Sequence, residues 1–167
     1  MGRGKIVEEV INKFPNATLD EITMLSCEVE TKAEAMATGP RKGPLKFDAS
    51  ARVKGVMAET EGLPVGMYTH FELEVFQDRK PTKKDSSTKT DLARILVGYA
   101  SFFSVSPINK DDISEPECDE FALREGFRLI QPYIQQHVSE MTGRLGFPPL
   151  LLPSGAIDVE IYEELDS

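Results

Sequence analysis

Three stretches of strict two-residue alternation, joined by links too short for a crossover, constrain this chain more than any other feature of its sequence. Leu45, Phe47, Ala49, Ala51, Val53 and Met57 share one face of a strand whose other face carries Lys46, Asp48, Ser50, Arg52 and Lys54. After a turn around Glu61, Gly62, Leu63 and Pro64, Val65, Met67, Phe71, Leu73 and Val75 alternate against Tyr68, His70, Glu72 and Glu74. A third run, Leu92 to Val105, puts Ala93, Ile95, Val97, Tyr99 and Phe103 on one face, and Leu96 and Phe102 on the other suggest cover on both sides at points. Parallel neighbours need a crossover of about a dozen residues or more, so the short links predict an antiparallel meander.

The remaining segments are placed around that meander. Leu19 to Ala35 reads as a preceding strand with Ile22, Met24, Leu25, Cys27 and Val29 among Thr, Ser and Glu. Met36 to Lys46, with Gly39, Pro40, Gly43 and Pro44, reads as an irregular crossover. Gln77 to Asp91 holds Arg79, Lys80, Lys83, Lys84 and Lys89, and its lack of aromatic residues or of a helix amino terminus predicts a solvated hairpin loop rather than a phosphate grip. Pro107 to Glu120 reads as acidic and irregular. From about Phe121 the spacing turns helical, and Ile130, Tyr133, Ile134, His137, Val138, Met141 and Leu145 form an apolar stripe that contains Pro132. Arg144 in the last turn, Gly146 as a left-handed cap, Phe147 folding back and the pair Pro148, Pro149 predict where this helix stops. A short amphipathic helix is expected over 5–14, docked on its own domain, and the acidic residues of 156–167 read as a solvated tail. The fold expected is therefore α+β: a four-stranded antiparallel sheet, a meander plus a first strand reached by crossover, with a long helix packed on one face, in a single domain over 1–167.

Composition narrows the function classes. With 19 basic against 28 acidic residues and a net charge of −9, the surface disfavours a nucleic-acid backbone or an anionic membrane as partner. No stretch approaches the ~20 apolar residues of a membrane span, and the amino terminus has no signal-like apolar run, so a cytoplasmic protein without membrane insertion is expected. Cys27 and Cys118 lie far apart in sequence and suggest no disulfide framework. No phosphate-binding or dinucleotide-binding glycine motif occurs, and no Cys or His pair has ligand spacing, so neither cofactor nor metal is expected. His137 reads as a helix-face residue, and Glu72 with Glu74 as a polar pair on a strand; no catalytic residue is assigned and the protein is expected not to be an enzyme.

One resemblance is specific. Leu129-Ile130-Gln131-Pro132-Tyr133, the helix to Arg144, and Gly146-Phe147-Pro148-Pro149-Leu150-Leu151-Leu152-Pro153 together resemble the signature of the SecB family of export chaperones, in which a proline-aromatic triplet opens the long helix and a Pro-rich apolar segment follows it. The meander ending in Tyr99-Ala100-Ser101-Phe102-Phe103-Ser104-Val105, and the strand and crossover before it, match the family's order, so the resemblance spans Leu19 to Asp158. It implies an ATP-independent holdase for non-native polypeptides such as export precursors, assembled as a dimer of dimers, with Tyr133, Ile134, His137, Val138 and Met141 divided between core and subunit interface. It also brings the SecA motor ATPase in as a candidate partner, although the family's second carboxy-terminal helix and tail have only 157–167 as counterpart here. The added amino-terminal helix resembles the toxin-antitoxin branch, whose client is an antitoxin. A small-ligand carrier or enzyme on the same fold is the alternative of a different class.

A holdase needs apolar area without strict shape demands, which methionine supplies. Met24, Met36, Leu45, Phe47, Phe147 and Leu151 are accordingly the expected polypeptide-binding residues, lining a groove between sheet, crossover and the segment after the helix.

Overall fold

The computed structural model describes residues 14, 16–32, 44–58, 63–84, 86, 88–105, 113–148, 150–153 and 155–162. Five strands form one mixed sheet: β1 (Thr18–Thr31), β2 (Lys46–Met57), β3 (Val65–Asp78), β4 (Lys89–Ser104) and β5 (Ile157–Ile161), in the order β1-β4-β3-β2-β5. The meander is as the alternation requires, since β2 pairs antiparallel with β3 through Ala51↔Phe71, and β3 with β4 through Phe71↔Val97. β1 reaches across to the far side of β4, pairing Cys27 with Val97.

Two expectations are corrected. The acidic carboxy-terminal segment is not wholly a solvated tail: Ile157, Val159 and Ile161 alternate with Asp158 and Glu160, and this short run adds to β2 in parallel through Ala51↔Val159, so the sheet has five strands and is mixed. The helix also begins earlier than its apolar stripe suggests. Ser114 is in extended conformation, Glu115 opens α1 (Glu115–Phe121), Pro116 sits in its first turn where no N–H is needed, and Glu115 and Glu117 face the positive end of the helix dipole. The acidity of 115–120 is thus helix-start chemistry.

A π-helical segment (Ala122–Gly126) joins α1 to α2 (Phe127–Arg144), and the Phe127 N–H reaches back to the Ala122 carbonyl. The wider turn keeps Ala122 and Phe127 both on the sheet side, and the buried line continues through Ile130, Ile134, Val138 and Thr142. That line packs on Val53, Met67, Phe71, Leu73, Ile95 and Val97, all fully enclosed. Phe121 is stacked between Phe14 (5.0 Å) and Phe103 (5.1 Å, edge-on), so the one described residue of the expected amino-terminal helix is docked on the core; 5–13 lie outside the described residues.

The helix stops as its residues dictate. Gly146 takes φ 85, its N–H meets the Gly143 carbonyl at 3.1 Å, and the Phe147 N–H meets the Thr142 carbonyl at 3.0 Å, with the Phe147 ring folded back into the core. Beyond it the chain runs extended along α2. Gln135 accepts the Leu152 N–H at 3.0 Å and donates to the Leu150 carbonyl at 3.4 Å, while the Thr142 hydroxyl accepts the Leu150 N–H at 3.1 Å.

On the β2 side, α1 lies directly on the sheet. A Cβ built on Gly55 would stand 2.1 Å from both the carbonyl carbon and oxygen of Cys118, so only glycine allows this approach. Where β5 has ended, the Asp119 carboxylate accepts the Gly55 N–H at 3.0 Å and holds Lys54 Nζ at 3.1 Å.

Candidate functional site: a cleft between the edge strand and the helix

β1 is built unlike its neighbours. β3 buries one whole face and β2 and β4 most of one, whereas β1 has no fully buried residue, because α2 runs over the middle of the sheet and leaves this edge half covered. Ile22, Met24, Cys27 and Val29 project toward the helix side, in register with Ser101, Tyr99, Val97 and Ile95. Two bulges, at Leu19/Glu21 and Met24/Ser26, bend the strand, and the second pushes Leu25 onto the opposite face.

A cleft of about 230 Å³ opens where β1 and α2 diverge, with Ile22, Met24 and Tyr99 on the sheet and Tyr133, His137 and Glu140 on the helix. Met24 is 43% exposed and Tyr133 48%, both large apolar groups left uncovered beside the core. Cys27 Sγ lies 3.5 Å from His137 Nε2 at the cleft's end, tying strand to helix. Burial holds the His137 imidazole below its usual value, against an upward pull from Glu140 and with a downward push from Arg144. Burial, and then the nearby Cys27, pushes the Tyr99 phenol up to about 12.

The six expected polypeptide-binding residues are dispersed. Met24 sits in this cleft. Leu45 and Phe47 are half-buried at the start of β2, three strand spacings across the sheet, about 14 Å at ~4.8 Å per strand, and toward the other end of the strands, since Phe47 pairs with Val75, Val75 with Ala93 and Ala93 with Thr31. Phe147 is buried as the helix cap's hydrophobic contact, and Leu151, 74% exposed, projects from the arm that Gln135 pins. Met36 lies outside the described residues, as does the crossover over 33–43. Of the expected interface residues, Ile134 and Val138 are fully enclosed in the protomer's own core, while Tyr133, His137 and Met141 keep surface. The structure therefore joins residues that the sequence divided between two roles: Met24 from one set shares a cleft with Tyr133 and His137 from the other.

The opposite sheet face carries a wider depression of about 490 Å³ floored by Gly98 and rimmed by Leu25, Tyr68, His70 and Tyr162. Its cations are engaged, Arg52 with Glu160 at 3.3 Å and Lys54 with Asp119. Glu72 is held by Arg94 at 2.7 Å, so the Glu72/Glu74 pair contains one carboxylate already neutralised. Among the described residues no three His, Cys, Asp or Glu side chains gather as a metal site, and no helix is long and apolar enough to cross a membrane.

A five-strand mixed sheet, one long helix over its centre and a cleft at its edge define an α+β protein. No family model matches the chain. A 73-residue segment is 34% identical to the SecB-like chaperone Rv1957 of Mycobacterium tuberculosis, and the chaperone MT2006 of another strain of that organism matches equally. The segment covers 41% of this chain and only 40% of the relative's length. The solved structure of Rv1957 in complex with a ChAD peptide from the HigA1 antitoxin matches with a TM-score of 0.65 and 19% identity, over 92% of this chain and 98% of that one. The chain is thus similar to SecB-like chaperones over a local stretch of sequence and shares the fold of the solved Rv1957 structure.

Proposed function

We propose that this protein is a SecB-like chaperone that holds an extended, non-native polypeptide segment without ATP, and that its client is the exposed segment of an antitoxin. The observation that carries this reading is the uncovered pair Met24 and Tyr133 in the cleft between β1 and α2: adaptable and amphipathic side chains at the edge of a finished core. The antitoxin is preferred over export precursors because the related fold with the ChAD peptide is a complex with an antitoxin segment.

The client backbone lies along the β1 edge and its apolar side chains enter the cleft, with Leu45, Phe47 and Leu151 extending the apolar surface elsewhere on the chain. One such cleft binds modestly, and assembly of several copies, in the dimer-of-dimers form of the SecB family, raises the total by linking sites. Tyr133, His137 and Met141 are the helix positions with surface left for such assembly. The acidic surface keeps a sticky cytosolic protein dispersed and favours basic and aromatic segments.

The test is binding of the protein to overlapping fluorescent peptides covering an antitoxin and a set of export precursors, together with light-scattering suppression of a refolding client. The expected result is selective binding to one antitoxin segment, weakened about tenfold by Met24→Glu, in line with ~1–3 kcal/mol for one buried side chain. Equal binding to many precursor segments would turn the reading to a general export holdase, and stimulation of SecA-dependent translocation would then identify the motor as partner. No binding to any unfolded segment would overturn it.

A further inference from the structure

The two cysteines occupy opposite chemical environments, and one of them is equipped to react. Cys118 is fully enclosed at the α1–β2 contact, where burial and the neighbouring Asp119, Glu117 and Glu115 push its thiol up to about 11. Cys27 is exposed, on the helix side of β1, with its sulfur 3.5 Å from His137 Nε2. Beside it, Tyr99 lines the cleft, is only 4% exposed, and its hydroxyl has no hydrogen-bond partner among the described residues. A buried hydroxyl left without a partner costs free energy unless something occupies the space it faces.

We propose that Cys27 is a thiol modification site, oxidised by a small hydroperoxide and then closed as a mixed disulfide with a low-molecular-weight thiol. His137 is the group that takes the thiol proton. Its low basicity keeps it uncharged near neutral pH, so Nε2 is free to accept; Glu140 on the same helix supports the imidazolium once formed, and Arg144 opposes it. The thiolate attacks the distal oxygen of the hydroperoxide: an S–O bond forms, the O–O bond breaks, and the departing oxygen takes the proton from His137 as water or alcohol. Sulfur is oxidised to the sulfenic acid and the peroxide is reduced. The incoming thiol then attacks that sulfur, an S–S bond forms, and the hydroxyl leaves as water with the thiol's proton. The Tyr99 hydroxyl is the donor available to the oxygen carried on Cys27. The cleft is open to solvent and admits both reagents.

This proposal does not depend on client identity, and its test needs no client. The full-length protein is treated with limiting hydrogen peroxide in the presence of dimedone, with and without glutathione, and peptides are read by mass spectrometry. The expected result is a dimedone adduct, or a glutathione disulfide, on Cys27 and none on Cys118. Cys27 should react faster than free cysteine at pH 7, and His137→Gln should slow it about tenfold at unchanged melting temperature, since the group that takes the thiol proton is then missing. Tyr99→Phe should slow it less. A Cys27 rate equal to that of free cysteine overturns the proposal using the unmodified protein alone, and so does a folded His137→Gln protein that reacts as fast as the parent.

Discussion

The two edges of the sheet are finished in opposite ways. Along β2, the chain closes its own edge: β5 pairs with residues 49–53, the Tyr162 N–H meets the Val53 carbonyl at 2.8 Å, and Asp119 takes the next exposed donor at Gly55. Along β1 nothing in the described chain covers the outer edge, and bulges and charged side chains are the only protection against pairing with another strand. The β2 edge therefore contributes stability, and the β1 edge is left with apolar and reactive groups, Met24, Leu25 and Cys27, that the fold does not consume.

The largest test of this contrast compares two glycines. At Gly55 an added methyl meets the Cys118 backbone at 2.1 Å, which cannot swing away, so Gly55→Ala must lift α1 off β2 and should cost about 3 kcal/mol in urea unfolding. At Gly98, beside β1, the methyl meets the Ser26 hydroxyl at 2.7 Å, a side chain that rotates, and Gly98→Ala should cost about 1 kcal/mol. Equal costs would mean that both edges are locked to the same degree. Next in size, Asp119→Ala leaves the Gly55 N–H and Lys54 without their carboxylate and should cost about 2 kcal/mol, whereas Asp119→Asn keeps an acceptor and should recover more than half of it.

The same contrast explains what could be read from the sequence. The meander, the α2 stripe and the Gly146 cap are legible because each is local: alternation, helical spacing and a left-handed glycine are written within a few residues. β5 is not, because its alternation is only five residues long, is filled with acids, and is rewarded only by a parallel pairing with β2 about a hundred residues away. The approach of Cys118 to Gly55 has no local signal either. For the site, periodicity put Tyr133, Ile134, His137 and Val138 on one apolar stripe but could not say where the stripe's centre lay. Ile134 and Val138 are the centre, and Tyr133 and His137 are its rim because β1 is only half covered. The partnership of Cys27 with His137 joins residues of two elements, and sequence alone does not bring them together.

The smaller effects lie on the β1 side. His137 is less basic in the folded chain than its ordinary 6.5, so its contribution to stability is complete above that pH and is lost as pH falls below it, when the unfolded chain takes up the proton first. Carboxylates titrate in the same range, so the readout is a difference: the drop in melting temperature from pH 7.5 to pH 5 should be smaller for His137→Gln than for the parent.

Leu25→Ser should change least. The side chain stands on a bulge, 59% exposed, with no helix above it, and the unfolding free energy should stay within about 0.5 kcal/mol of the parent at low protein concentration. Repeating the measurement at high concentration sharpens the comparison further. A cost that grows with concentration means a second copy covers this face and releases less stabilisation when Leu25 is removed, since a partner that binds only the folded chain adds stability by mass action. A cost that stays flat means the β1 side faces solvent until a client arrives, and the contrast between the two edges then holds in solution as it does within the chain.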